Sequence, residues 1–213
     1  WYDGSIRGMD VELGRLVERL RTLGLDDDTL IVFMSDHGEE FLEHGSMFHG
    51  QTVYNELTQV PLVMRWPGAI PSGVVVDENV QLIDIMPTLL DLADLPVPKG
   101  LDGISITPTL KNRGEQKKHD HLYWALPLYD FGKREFKPEG LMEAVRKDNW
   151  KAIRPLTNAP IELYNLSHDI SEEHNVADQW PNIIGQMNSL LRQARTAGHP
   201  QIEPKIPEGK RYR

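Results

Sequence analysis

The unbroken apolar run at residues 30–34, LIVFM, narrows the possible folds of this 213-residue chain more than any other stretch. A strand with one face in water alternates apolar and polar residues, and this run does not. It therefore predicts a strand covered on both faces, as in a parallel sheet enclosed by helices. Ser35, Asp36, His37 and Gly38 follow directly. Because ligands of open α/β sheets bind beyond the carboxyl ends of the strands, we expect a site at these residues.

Asp36 and His37 are candidate ligands of a divalent cation. A carboxylate supplies oxygen and a neutral imidazole supplies nitrogen, a combination that suits hard and borderline metal ions. The alternative is plain turn chemistry, because Asp and Gly are frequent turn residues. A dedicated site also needs about six ligands, so these two residues alone predict weak metal binding or none.

The segments around this strand predict an α/β fold. Residues 2–23 carry apolar side chains at three- and four-residue steps, which indicates an amphipathic helix that stops at Gly24. A helix, a short loop and a strand form an α/β unit, so we expect part of a mixed, largely parallel sheet flanked by helices. The following segments predict a helical turn at 52–57, strands at 61–65 and 74–76, and a helix from Asp84 to about residue 94.

A change of composition at 111–120, KNRGEQKKHD, predicts a boundary between two domains, 1–112 and 113–213. The second domain is predicted as a small antiparallel sheet in which the Asp148-Asn149 turn joins two strands as a hairpin. Its predicted elements are strands at 121–126, 142–146, 150–153 and 161–164, an insertion at 127–140, a terminal helix at 181–197 and a mobile tail from Pro200.

Composition excludes several classes of function. The net charge of −9 argues against a general nucleic-acid binder, which would show a basic face. The absence of cysteine excludes a disulfide framework and a thiol nucleophile. No run approaches the roughly 18 apolar residues of a membrane span. The chain has no signal peptide and begins at Trp1 rather than Met, so we expect part of a longer or processed protein.

An ordered set of motifs covers nearly the whole chain. These motifs are SDHGEEFLEHG (35–45), HGQTVYNE (49–56), VPLVMRWPG (60–68), PTLLDLADLPVP (87–98), EAVRKDNWKAI (143–153) and ELYNLSHDISEEHNVAD (162–178). Together they resemble the sulfatase family of the alkaline-phosphatase superfamily. The resemblance implies a sulfuric-ester hydrolase that uses a divalent metal, usually Ca²⁺, and a formylglycine nucleophile.

The family's nucleophile motif, a Cys or Ser followed by x-Pro-x-Arg, is absent from this chain, as is an early Asp-Asp pair of metal ligands. The resemblance therefore implies the C-terminal half of such an enzyme, which we expect to be inactive alone. Its open strand edges and apolar faces are expected to be covered by the N-terminal half of the same enzyme or by self-association.

The resemblance also assigns roles to single residues. Asp36 and His37 align with a pair of metal ligands, and the imidazole leaves room for manganese or zinc. His49 lies about one position from a lysine that contacts sulfate in many members, and it is a candidate to hold an oxyanion or to protonate the leaving oxygen. A loop histidine bonded to backbone is the alternative. His44 is a candidate to line the substrate pocket, and Glu40 is expected to be a solvated charge.

The expected partner is a sulfated small molecule or carbohydrate, with no nucleic acid and no membrane span. Loss of the usual lysine leaves the ester type open, so a phosphonate monoester or phosphodiester hydrolase on the same scaffold is the alternative enzyme. A non-catalytic binding or assembly module is the alternative from another class. A periplasmic or secreted location is expected from the habits of the family.

Overall fold

The computed structural model describes residues 1–130 and 132–195. The end of the predicted terminal helix at Ala197 and the predicted tail from Pro200 lie outside these residues. The described part divides into two compact units. Unit 1 comprises Trp1–Glu43 and Glu56–Asp120, and unit 2 comprises His44–Asn55 and the described residues from His121 onward. The segment 44–55 thus belongs with the C-terminal residues, which the sequence did not predict.

The elements follow one another as helix, strands and short helices in unit 1, and mainly as strands with a last helix in unit 2. The helices are α1 (Tyr2–Thr22), α2 (Asn55–Thr58), α3 (Ile85–Leu92), α4 (Thr107–Leu110) and α5 (Pro181–Ala194), with 3-10 turns at Leu82–Asp84 and Ala177–Gln179. The strands are β1 (Ile31–Met34), β2 (Glu40–Phe41), β3 (Met47–Phe48), β4 (Leu62–Arg65), β5 (Leu122–Asp130), β6 (Glu135–Lys147), β7 (Trp150–Arg154) and β8 (Glu162–Asn165). These elements confirm the predicted α/β class.

Strands β1 and β4 pair antiparallel, with Ile31 opposite Arg65 and Met34 opposite Leu62. The sequence predicted a mixed, largely parallel sheet with apolar faces left for a further partner to cover. Within the described residues the pair that β1 forms is antiparallel. Met34 is 45% exposed and Val63 is 58% exposed. An unbroken apolar run indicates how a strand can be covered, but the direction of its neighbour depends on the path of the connecting chain.

Helix α1 confirms the helix predicted at the start of the chain, and Gly24 follows it in the left-handed conformation with φ +67°. None of its residues is buried. Its apolar stripe is half exposed, as shown by Ile6 (46%), Met9 (50%) and Leu16 (52%). The helix therefore forms from local periodicity and offers an apolar face to a further packing partner.

Asp84 organises the second half of unit 1 from a fully buried position. Its carboxylate accepts the N–H groups of Gln81 and Ile104, each at 2.8 Å, and Nε2 of His119 lies 2.8 Å from Oδ1. The sequence predicted Asp84 as a helix cap. It does stand before α3, but its side chain bonds to the preceding turn and to a distant loop. The short strand predicted at 74–76 does not form, and Val75 is 86% exposed.

Unit 2 is built on an antiparallel sheet in the order β5-β6-β7-β8. The hairpin predicted at Asp148-Asn149 is present, with Lys147 opposite Trp150 and Asp148 at φ 54°. The region predicted as an insertion at 127–140 instead extends β5 and β6, because a bulge between Pro127 and Tyr129 lets the ladder continue past the proline. The small antiparallel sheet with a terminal helix is therefore confirmed.

The two faces of this sheet are covered differently. Met187 and Leu191 of α5 pack with Val145, Ala152 and Leu163 on one face. Val53 and Tyr54 from the segment 44–55 pack with Met142, Ala144 and Ile153 on the other face. The sheet thus holds, as part of its own core, the segment that carries His44 and His49.

In the part of the chain that the structure describes, no helix combines the length and the apolar character that a bilayer span requires.

Candidate functional site

The predicted ligands Asp36 and His37 form a compact loop at the end of β1. The His37 N–H donates to Asp36 Oδ1 at 3.1 Å, and the Ser35 hydroxyl donates to the His37 carbonyl at 2.6 Å. The Asp36 side chain is 86% exposed and that of His37 is 44% exposed. Hydrogen bonds within the loop therefore fix its backbone, and the Asp36 carboxylate is exposed to solvent.

The ring of His37 is oriented by the backbone. Nδ1 lies 2.8 Å from the Gly38 carbonyl oxygen. Because a carbonyl oxygen can only accept, Nδ1 carries the proton, and Nε2 is then the nitrogen with the lone pair in the neutral ring. Nε2 lies 3.8 Å from Asp36 Oδ1. A backbone carbonyl that fixes the tautomer in this way is the usual support of a metal-binding histidine.

Gly38 anchors the loop to Glu56 and Leu57 of α2, within unit 1. Its N–H donates to the Leu57 carbonyl at 2.9 Å. A Cβ at this position would lie 1.8 Å from the Glu56 carbonyl oxygen, far inside contact distance. Only glycine allows this approach of two backbones, so Gly38 sets where Asp36 and His37 stand.

We expect Gly38→Ala to destabilise the protein by about 1–3 kcal/mol, the usual cost of overpacking against a backbone that cannot yield. Thermal unfolding of the full-length protein checks this. Gly185→Ala is the matched control, because a Cβ at Gly185 within α5 meets nothing within 4 Å. Alanine there should be neutral or slightly stabilising. Equal melting temperatures for the two variants would contradict the close approach.

Asp36 and His37 fit one part of a divalent cation site. Their carboxylate oxygen and imidazole nitrogen are suitable donors, and the Gly38 carbonyl orients the ring. Within residues 1–130 and 132–195, no group of three or more His, Cys, Asp or Glu side chains is placed to hold a metal ion. Since a dedicated site takes about six ligands, further donors are needed to complete one here.

His44 lies in unit 2, where two contacts fix its ring. The imidazole stacks on Tyr54 with ring centroids 3.7 Å apart and planes at 2°. Its Nε2 lies 3.0 Å from the Glu172 carbonyl oxygen. By the same reasoning as for His37, Nε2 of His44 carries a proton. Tyr54 is itself held, because its hydroxyl donates to Glu162 at 2.7 Å; burial and this hydrogen bond raise the pKa of the Tyr54 phenol.

His49 lies exposed in a tight loop of unit 2. Its neighbours Phe48 and Gly50 both have positive φ, 74° and 76°. Gln51 Nε2 donates to the Met47 carbonyl at 2.6 Å and closes the loop. A positive φ is unusual for a residue as bulky as phenylalanine and often marks a constrained functional loop. The roles proposed for His44 and His49 remain predictions.

Sequence reasoning was wrong about Glu40 and missed a buried network. Glu40 was expected to be a solvated charge, but it is fully buried in β2. Lys151 in β7 and Glu172 are also fully buried and form an ion pair, with Nζ 2.8 Å from Oε1. The signal in the sequence was Lys151 itself, which shares one face of β7 with the apolar Ile153.

Comparisons with known proteins agree with the family that the motifs resemble. The family model described as sulfatase matches residues 1–95. Arylsulfatase K of Bos taurus is 34% identical over 197 residues, which cover 90% of this chain and 35% of the bovine protein. The chain therefore spans only about a third of the length of this relative.

Two solved structures are also similar to this chain. One is a protein in complex with its substrate D-glucosamine-2-N,6-O-disulfate, with a TM-score of 0.71 and 27% identity over 89% of this chain and 38% of that chain. Another is a phosphonate monoester hydrolase of Agrobacterium radiobacter, with a TM-score of 0.73 and 30% identity over 87% of this chain and 38% of that chain.

Proposed function

We propose that this chain belongs to the sulfatase family, whose model matches residues 1–95, and that it forms part of a sulfuric-ester hydrolase that acts on a sulfated carbohydrate. The observation that carries the proposal is the Asp36-His37 loop at the end of β1, where Nδ1 of His37 lies 2.8 Å from the Gly38 carbonyl oxygen and the lone pair of the neutral ring is on Nε2. The likeness to the protein solved with a disulfated glucosamine favours a sugar sulfate as the substrate class.

Each candidate site residue has a chemical role in this proposal. Asp36 supplies an oxygen and His37 supplies Nε2 to a divalent cation, with Ca²⁺ the first choice because hard oxygen ligands suit it. The cation, when bound, offsets negative charge on the ester oxygens. His44 contacts the substrate, and His49 donates a proton to the leaving oxygen or holds an oxyanion. The formylglycine nucleophile and the remaining ligands come from residues outside this chain.

A phosphonate monoester hydrolase is the second candidate. Its specific support is the similarity to the Agrobacterium radiobacter enzyme, which is the more identical of the two solved structures described above. This chain also has no lysine between residues 29 and 68, where the family usually places one that contacts sulfate. Sulfate monoesters and phosphonate monoesters both carry a single negative charge, so the charge of the site alone does not separate them.

The test is a comparison of aryl sulfate, aryl phosphonate and phosphodiester substrates with the purified full-length protein that contains this chain. We expect the largest kcat/KM for the sulfate, because the motifs and curated relatives are those of sulfatases. A larger kcat/KM for the phosphonate or the diester would favour the second candidate. No turnover of any ester by the metal-loaded protein would point to a non-catalytic module.

A further inference from the structure

The segment 44–55 is fastened to the sheet of unit 2 by a buried polar network. Lys151 Nζ lies 2.8 Å from Glu172 Oε1 and donates to Asn55 Oδ1 at 2.9 Å. The Asn55 N–H donates to Glu172 Oε2 at 2.6 Å, and its Nδ2 donates to the Ile170 carbonyl at 2.9 Å. The Lys151 and Glu172 side chains are fully buried. Asn55 therefore joins a strand, a loop and its own segment at one point.

Glu172 holds both ends of the segment at once. Its carboxylate accepts from Asn55 at the end of the segment, and its carbonyl oxygen lies 3.0 Å from His44 Nε2 at the start. The backbone of Glu172 is left-handed, with φ 58°. This conformation is uncommon for residues other than glycine and persists where surrounding contacts enforce it. Here it is the conformation in which the side chain and the carbonyl group both reach the segment.

Stability alone is a weak reason for this arrangement. Removing two charges from water costs free energy that their attraction often does not recover, and apolar side chains of similar volume are frequently as stable. The apolar side chains of Val53 and Tyr54 already bury part of the segment in the core. What the network adds is a single fixed arrangement, because each group in a buried polar network restrains the others.

We propose that Glu172, Lys151 and Asn55 are positioning residues that fix His44 as its Nε2-protonated tautomer and hold the loop bearing His49 in place for the substrate. This inference rests on the proposed function, since it assigns a task to residues behind His44 and His49. In this proposal the sheet of unit 2 supports the two histidines that act on the substrate.

The test variant is Asn55→Ala in the full-length protein. It keeps the Lys151–Glu172 pair and the backbone N–H bond to Glu172, and it removes the side-chain bonds to Lys151 and to the Ile170 carbonyl. Its matched control is Tyr123→Phe. Tyr123 lies on the same sheet, packs with the cluster under α5 on the opposite face, and donates to the buried Glu143 at 2.7 Å. Both variants lose buried hydrogen bonding of one side chain, so both should lower the melting temperature.

The two variants should differ in catalysis. We expect Asn55→Ala to lower kcat on an ester substrate by about 10- to 100-fold with little change in KM, the loss typical when support behind a site is removed. Tyr123→Phe should keep the kcat of the parent protein. Equal losses of kcat in the two variants, or no loss in either, would overturn the proposal.

A spectroscopic measurement separates this inference from the proposed function. The ¹⁵N shifts of the His44 ring, assigned with a His44→Gln variant, should show the Nε2-protonated tautomer in the parent protein and in Tyr123→Phe. In Asn55→Ala they should move toward a mixture of tautomers. If the parent protein hydrolyses no ester but this shift occurs, the proposed function fails and the positioning stands. An unchanged tautomer in Asn55→Ala overturns the positioning whatever the activity.

Discussion

Asp36→Asn in the full-length protein is expected to lower kcat/KM for an aryl sulfate by at least about 100-fold, because even residues behind metal ligands cost about 10- to 100-fold when removed. The substitution keeps the shape of the side chain and removes its charge, so binding of the cation and turnover should fall together. The exposed carboxylate of Asp36 supports this expectation, since its removal leaves no buried group without a partner.

Calorimetric titration of the metal-stripped protein with Ca²⁺ measures the expected loss of cation affinity. Asp28→Asn is the control, because it removes the same charge from an exposed position just before β1, at the opposite end of the strand. That variant should bind calcium and turn over substrate like the parent protein. Unchanged calcium affinity in Asp36→Asn would remove Asp36 from the set of ligands.

Lys151→Met is expected to lower the free energy of unfolding by about 3–5 kcal/mol, the usual cost of leaving one member of a buried ion pair without its partner. The methionine fills most of the volume of the lysine, so the loss does not come from a cavity. It comes from Glu172, whose buried carboxylate loses the ammonium group that lies 2.8 Å from Oε1. Denaturant unfolding of the full-length protein measures the change.

Two further variants test whether the burial of the ion pair is the cause of this loss of stability. The double variant Lys151→Met/Glu172→Gln removes both charges and should recover most of the stability, because an uncharged amide can still accept from Asn55. Lys118→Met breaks an ion pair of similar length, 2.7 Å to Glu78, whose lysine side chain is 66% exposed. It should cost at most about 1 kcal/mol, as exposed pairs do. Equal costs for Lys118→Met and Lys151→Met would contradict the role of burial.

The sequence alone determined those features that depend on residues close together in the chain. The period of the apolar residues predicted α1, the short strand candidates after residue 120 predicted the antiparallel sheet, and Asp148-Asn149 predicted the hairpin between β6 and β7. The adjacency of Asp36 and His37 after an apolar strand likewise indicated a candidate metal site. In each case the backbone geometry of a few neighbouring residues fixes the relation between their side chains.

Only the tertiary structure decided the features that depend on partners distant in sequence. The antiparallel direction of β4 beside β1 follows from the path of the chain between them, and the burial of Glu40 and Lys151 follows from what packs around them. His44 and Glu172 meet although 128 positions separate them. From sequence alone a charged residue is predicted to be exposed to solvent. Its burial is tolerated only when folding brings a hydrogen-bonding or oppositely charged group to it, and that partner is not visible in the sequence.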